Sequence, residues 1–179
     1  LQPGGPTNGQ ILTWNGTAWA AANVTPASTV WNRVNSLTQL TNISIPNYMV
    51  SVAVNPNLNK IYLSGGASAA QAIVAVDGGT FAQASLGAGM GVDVDVTNNN
   101  YWSGGVYSGN ITDWSSTNSS LGSVSLSGCP FEISMDAPHR RVWAGAQCSD
   151  SIWVVNADTR AIVSGPISPG SVMSSLLVN

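Results

Sequence analysis

The chain has 179 residues, enough for one domain or a domain with a small appendage, and only 7% of them are charged. Five Lys and Arg against eight Asp and Glu leave a net charge of −3, which argues against nucleic acid because phosphate binding needs clustered basic side chains. No run of 18 apolar residues exists for membrane insertion, and 44% hydrophobic content argues against disorder. The polar remainder is mostly Asn, Ser, Thr and Gly. With 19 Gly and 9 Pro breaking every helical-period stretch, an all-β chain of short strands and turns is expected.

In chain order, residues 3–22 read PGGPTNGQILTWNGTAWAAA. Two short strands, Gln10–Trp14 and Thr17–Ala20, are predicted around Asn15-Gly16, since both turn residues tolerate the positive φ of a type I′ turn. A hairpin this small is not stable alone, so Trp14 and Trp19 are expected to bury against the main body or against sister chains. Both are therefore oligomer-contact candidates. The string GQILTWNGTAW resembles short elements of bacteriophage tail fibres and related virion fibres, and the resemblance implies a trimeric collar or linker. An ordinary hairpin of a secreted β protein remains the alternative. The expected division is a hairpin and linker over 1–25 and a main domain over 26–179. The start at Leu1, with neither a charged n-region nor an apolar h-region, fits a processed or excised chain.

The main domain is organised by a pattern that occurs three times. Residues 48–64 read YMVSVAVNPNLNKIYLS, 90–104 read MGVDVDVTNNNYWSG and 129–145 read CPFEISMDAPHRRVWAG. Val50, Val52 and Val54 share one strand face, as do Val92, Val94 and Val96, and Phe131, Ile133 and Met135. Each first strand runs into a polar turn and a second strand with a large aromatic: Tyr62, Trp102 or Trp143. Third strands follow at Ala72–Val76, Asn110–Trp114 and Ser151–Val155, and weaker fourth strands at about 80–86, 121–126 and 160–167. Four antiparallel strands in about 40 residues is the spacing of a β-propeller blade. A β-sandwich also uses short strands, but does not require one hairpin motif three times. The run Val54-Asn55-Pro56 to Lys60-Ile61-Tyr62, then Ile73–Asp77, resembles the YVTN family of propeller repeats over roughly 46–179. That resemblance implies an extracellular or surface binding scaffold, and it fixes no catalytic residue.

The two ends complement each other. Residues 29–45 match Ser151–Ile167, as a third and fourth strand without their hairpin, and Ser175–Asn179 matches the first strand Ser51–Asn55. About four blades are expected, three complete and one split between the termini. Three closures stay open: within one chain, shared among several chains, or through further blades of a longer propeller.

Cys129 and Cys148 have numbers summing to 277, the register of a hairpin centred at Pro138-His139. A cross-strand disulfide of an oxidising compartment is expected, with two buried thiols as the alternative. Two cysteines and one distant histidine do not make a metal shell. His139 and the pair Arg140-Arg141 are read as a solvated turn, so no catalytic triad is expected. Asp93 and Asp95, with Glu132, lie opposite the apolar face of their strands, where a propeller would bring them near its axis; solvated acids, a Ca²⁺ site or acid–base chemistry would each fit. Trp102 aligns with core positions, while Tyr107 and Trp114, around a loop at Ser103–Gly109, are candidate plates for a surface glycan. The expected function is a non-enzymatic structural or attachment component of an extracellular fibre or virion, homo-oligomeric with a trimer favoured, without cofactor, metal or membrane insertion. A secreted carbohydrate- or protein-binding module is the alternative, and a propeller enzyme using Asp93 or Asp95 the third reading.

Overall fold

The computed structural model describes residues 10–14, 17, 19–23, 42, 49–66, 72–170 and 175–178, and it divides into two compact units, Leu1–Asn42 and Ile43–Asn179. In the first unit β1 (Gln10–Trp14) pairs antiparallel with β2 (Trp19–Asn23). The register sets Trp14 opposite Trp19, so the connection spans 15–18 rather than two residues, and Thr17 lies in a bend instead of opening the second strand. A two-residue turn would have set Trp14 against Thr17; the longer connection puts the Trp14 and Trp19 backbones in register. The side-chain surroundings of Trp14 and Trp19 lie outside the described residues, and so does the expected half blade at 29–45 apart from Asn42.

The second unit contains three four-stranded antiparallel sheets, each in simple chain order. The first holds β3 (Met49–Asn55), β4 (Lys60–Gly65), β5 (Ala72–Asp77) and β6 (Gln83–Ser85). The second holds β7 (Gly91–Asp95), β8 (Asn100–Gly105), β9 (Asn110–Trp114) and β10 (Ser120–Ser125). The third holds β11 (Pro130–Asp136), β12 (Arg141–Ala146), β13 (Ser151–Asn156) and β14 (Ile162–Ile167), with a single-turn 3₁₀ helix at Gln147–Ser149. No α-helix occurs among the described residues.

The same turn chemistry closes each hairpin. At the end of the first strand Asn55, Asp95 or Asp136 accepts backbone N–H bonds from the turn that follows. Asn59, Asn99 and Arg140 then take a left-handed φ of 50–57° just before the second strand. Between third and fourth strands, Asp77, Ser115 and Asn156 accept in the same way, and Phe81, Asn118 and Arg160 take the left-handed φ.

Registers align the three sheets row by row. The row Ala53–Tyr62–Ala75–Ala84 corresponds to Asp93–Trp102–Asp113–Gly122 and to Ser134–Trp143–Val154–Ser164. The first two of these rows lie on the face turned towards the next sheet, and the third on the face that meets Val178; the valine-rich rows lie on the opposite face. β7 runs beside both β3 and β11. One core forms where Ala53, Tyr62, Ile73 and Ala75 meet Val92, Val94 and Tyr101, with Tyr62 and Tyr101 ring centroids 4.8 Å apart. Another forms where Trp102, Ile111, Val124 and Leu126 meet Ile133, Val142, Ala144 and Val155. A Cβ on Gly91 would sit 2.0 Å from the Phe131 carbonyl oxygen, so only glycine lets the β7 and β11 backbones approach this closely.

On the face of the first sheet turned away from the second, Leu63, Val74 and Val76 on the two central strands are buried, while Val52 and Val54 on the edge strand β3 are 54% and 55% exposed. One expectation changes here. The loop expected at Ser103–Gly109 is shorter: β8 continues to Gly105, Ser103 is buried, and only Val106–Gly109 form the turn.

Candidate functional site

Side-chain hydrogen bonds cross each boundary between neighbouring sheets. At the first boundary Ser51 Oγ donates to the Val92 carbonyl at 3.1 Å, Asn57 Nδ2 to the Val96 carbonyl at 2.8 Å, and Ser64 Oγ to the Met90 carbonyl. At the second boundary the Met135 N–H donates to Asp93 Oδ2 at 2.7 Å. The same contact occurs once more beyond the third sheet, where the Val178 N–H donates to Ser134 Oγ at 3.0 Å. Ser134 is the register equivalent of Asp93, and Val178 stands in the SLLVN segment where Met135 stands in ISMD. The C-terminal segment thus meets the third sheet as β11 meets the second, although Ser175–Val178 carry no ladder pairing among the described residues.

Two charged clamps lock the second boundary. Arg140, at the left-handed end of the β11–β12 turn, reaches back with Nη1 to Asp95 Oδ1 at 2.7 Å and Nη2 to Asp95 Oδ2 at 2.6 Å. Its Nη2 also meets Asp158 at 2.6 Å. Asp95 is fully buried, so this bidentate pairing neutralises a charge that has no access to water. The two carboxylates hold the Arg140 guanidinium pKa well above its ordinary value, and Arg140 in turn lowers that of Asp158. The second clamp joins Arg160 Nη2 to Asp113 Oδ2 at 2.6 Å, with Asn100 Nδ2 donating to Asp113 Oδ1 at 2.6 Å. Gly122 makes room for it, since a Cβ there would lie 2.7 Å from Arg160 Cδ. Arg140 is therefore no solvated turn residue: its left-handed backbone aims the guanidinium across the boundary.

The sequence candidates fall as follows. Asp95 lies in the first clamp. Asp93 is partly buried, and desolvation raises its carboxyl pKa although the Val94 and Met135 N–H donors oppose that. Glu132 is raised by burial as well, and Asp113 by burial against the opposing pull of Arg160. Asp93 and Asp95 both face the third sheet and bond to it, Asp93 through the Met135 N–H and Asp95 through Arg140. Trp114 is stacked on Tyr101 with centroids 6.2 Å apart and donates from Nε1 to Ser103 Oγ at 2.9 Å, which makes it packing rather than an open plate. Tyr107 is 69% exposed at the tip of the β8–β9 turn. His139 is an exposed turn residue, as expected, with Nδ1 2.9 Å from Asp136.

The disulfide is present between Cys129 and Cys148, with Cα atoms 5.1 Å apart. The 277 register holds from Asp136–Arg141 to Glu132–Gly145 and then slips by one at Pro130–Ala146, and Cys148 lies in the 3₁₀ turn just past β12. Among the described residues no group of three or more His, Cys, Asp or Glu could hold a metal, and no helix is long and apolar enough to cross a membrane. Sequence reasoning missed one feature altogether. A groove of about 320 Å³ opens at the first boundary between Lys60, Ala75, Ala84 and the turn Ser116–Asn118.

These features define the class: an all-β protein of tandem four-stranded antiparallel sheets, braced across their faces by side chains that bind the neighbouring sheet. No protein-family model matches the chain, and no similar protein is found among curated ones.

Proposed function

We propose that the three sheets are successive blades of a β-propeller of the YVTN type. In this reading the chain is a non-enzymatic structural or attachment component of an extracellular fibre or virion surface. The observation that carries the reading is the distribution of exposed apolar side chains. Val52 and Val54 are exposed on the edge strand of the first sheet, Ile162, Val163 and Ile167 on the edge strand β14 of the third, and Leu177 is 89% exposed next to the Val178 that bonds Ser134 on β11. Exposed apolar side chains on an end sheet and along an edge strand are surface that a further blade or a further chain covers.

The ionisable groups support a scaffold rather than a reaction centre, because Asp95, Asp113, Arg140 and Arg160 bind one another across a sheet boundary. The disulfide suits an oxidising extracellular setting. The fibre-like GQILTWNGTAW element favours a trimer assembled through the hairpin that carries Trp14 and Trp19. Sedimentation equilibrium over a hundredfold dilution tests this: a trimer that persists is expected, with dissociation on Trp14→Ala/Trp19→Ala. A monomer at every concentration would defeat the assembly reading.

A further inference from the structure

We propose that the groove between the first and second sheets binds a carboxylate-bearing sugar. Two copies of one niche occur in the second unit, one at each sheet boundary, and they differ in what fills them. At the second boundary the chain fills the niche itself: Asp113 on β9 accepts from Asn100 on β8 and from Arg160 at the left-handed end of the next sheet's turn. At the first boundary the register puts Ala75 at the place of Asp113 and Lys60 at the place of Asn100. Asn118 takes the turn position of Arg160, in a turn one residue shorter. The carboxylate and the guanidinium are both gone, and a groove of about 320 Å³ remains, a volume that suits a one- or two-ring sugar.

The residual chemistry selects the ligand. Lys60 Nζ has three donors, and its acceptor among the described residues is the Ser116 carbonyl at 3.2 Å. No described carboxylate lies within ion-pair distance of it, although the carboxyl pKa of its cross-strand neighbour Asp77, lowered first by bonds from Thr80, is lowered in part by the Lys60 charge. Asn118 is fixed in orientation, because its Oδ1 accepts from Tyr101 Oη at 2.7 Å and from the Gly87 N–H at 3.2 Å. Its Nδ2 donors are thereby left without a partner among the described residues. A ligand carboxylate above the Ala75 methyl, where Asp113 carries its own carboxylate in the filled copy, meets an ammonium and an amide donor.

Asp77 discriminates between anions. Its Oδ1 is taken by the Gly79 and Thr80 N–H groups and the Thr80 hydroxyl, while Oδ2 has no partner among the described residues. That oxygen repels a bare anion and accepts from a hydroxyl. A ligand therefore needs both a carboxylate for Lys60 and hydroxyl donors for Asp77, with Ala84 and Leu86 supplying apolar contact for a C–H face. A sugar acid has all three.

The test is titration of the isotopically labelled chain with D-glucuronate, D-glucose and acetate, followed by amide chemical shifts. Glucuronate is expected to saturate one site per protomer, to move resonances at Lys60, Ala75 and Asn118, and to bind at least about tenfold more tightly than glucose or acetate. Lys60→Gln, on a partly exposed side chain, is expected to weaken it by about tenfold or more with an unchanged melting temperature. Ala75→Asp is expected to abolish binding by supplying the niche with its own carboxylate; should that variant not fold, the Lys60 variant still decides. Acetate binding as well as glucuronate, glucose doing so, unaltered affinity in Lys60→Gln, or no saturable shift would each overturn the proposal. Stoichiometry per protomer is read independently of oligomeric state, so failure here is distinguishable from failure of the assembly reading.

Discussion

Replacing Arg140 with Asn tests the bracing of the second boundary directly. Asn is the residue that the first two sheets place at this left-handed position, as Asn59 and Asn99, so the backbone accepts it. Relief of an arginine held at positive φ contributes about 1 kcal/mol in favour of the variant. Against that, the fully buried Asp95 carboxylate loses both guanidinium bonds and keeps only the N–H donors of Thr97 and Asn98. Leaving a buried carboxylate without its cation costs about 3–5 kcal/mol. The net expectation for Arg140→Asn is destabilisation by about 2–4 kcal/mol in urea unfolding followed by tryptophan fluorescence. Adding Asp95→Asn reproduces the Asn55 and Asn99 pair of the first boundary, removes the stranded charge and is expected to recover at least about half of the loss. The reasoning is refuted if Arg140→Asn lies within about 1 kcal/mol of wild type, or if the double variant is no more stable than the single one.

Three further outcomes are expected. Asp93, Asp113 and Glu132 have carboxyl pKa values raised by burial, so their contribution is full below the unfolded pKa and is lost as pH rises through the folded one; Asp77, held low first by its turn N–H and hydroxyl donors, and Asp158, held low by Arg140, lose theirs as pH falls through their folded values. Thermal melts at constant ionic strength should therefore show a midpoint at pH 5 no lower than at pH 7 and a decline below about pH 4; a steady fall from pH 7 to pH 5 would contradict this sign. The Cys129–Cys148 bond closes a loop with a sequence separation of 19, so Cys129→Ser/Cys148→Ser should be less stable by about 3 kcal/mol in urea, a loss matched by reducing the wild type. Asp93→Ser installs the residue that stands at the equivalent position 134 and accepts the Val178 N–H, so at pH 7 it should stay within about 1 kcal/mol of wild type, while Asp93→Ala strands the Met135 N–H and loses about 1–3 kcal/mol.

Much of the second unit was legible from local pattern. Alternation of Val52, Ala53 and Val54, polar turns such as Asn98-Asn99-Asn100, and an aromatic in each second strand mark the hairpins without tertiary information. The cysteine pairing was legible because a hairpin fixes partners by arithmetic, and it tolerated the slip at Pro130 because a disulfide accepts a range of Cα separations. What a strand face meets is a different matter. Val52 and Val92 read alike, yet Val52 is exposed at the edge strand while Val92 is buried against the Tyr62 face of the first sheet. The hairpin loop was misjudged because Asn15-Gly16 signals a two-residue turn, while the strands pair Trp14 with Trp19 across four connecting residues. The clamps left a faint trace in the alignment of repeats. Arg140 and Arg160 both occupy turn positions held elsewhere by Asn or Phe, and Asp95 and Asp113 both replace neutral residues of the first sheet.

That trace carries a general point about how near-identical sheets diverge. Backbone register, turn chemistry and the inter-sheet approach are common to all three, so a boundary changes its character through the few side chains that project across it. Between the second and third sheets those positions hold two arginines, two aspartates and an amide, and they close the gap with charge. Between the first and second the same positions hold Asn55, Asn99, Ala75, Asn118 and Lys60, with cohesion from the Tyr62–Tyr101–Trp114 cluster and serine bonds to backbone, and a cation stands at the edge of an open groove. One boundary is specialised for rigidity and the other has room for a guest.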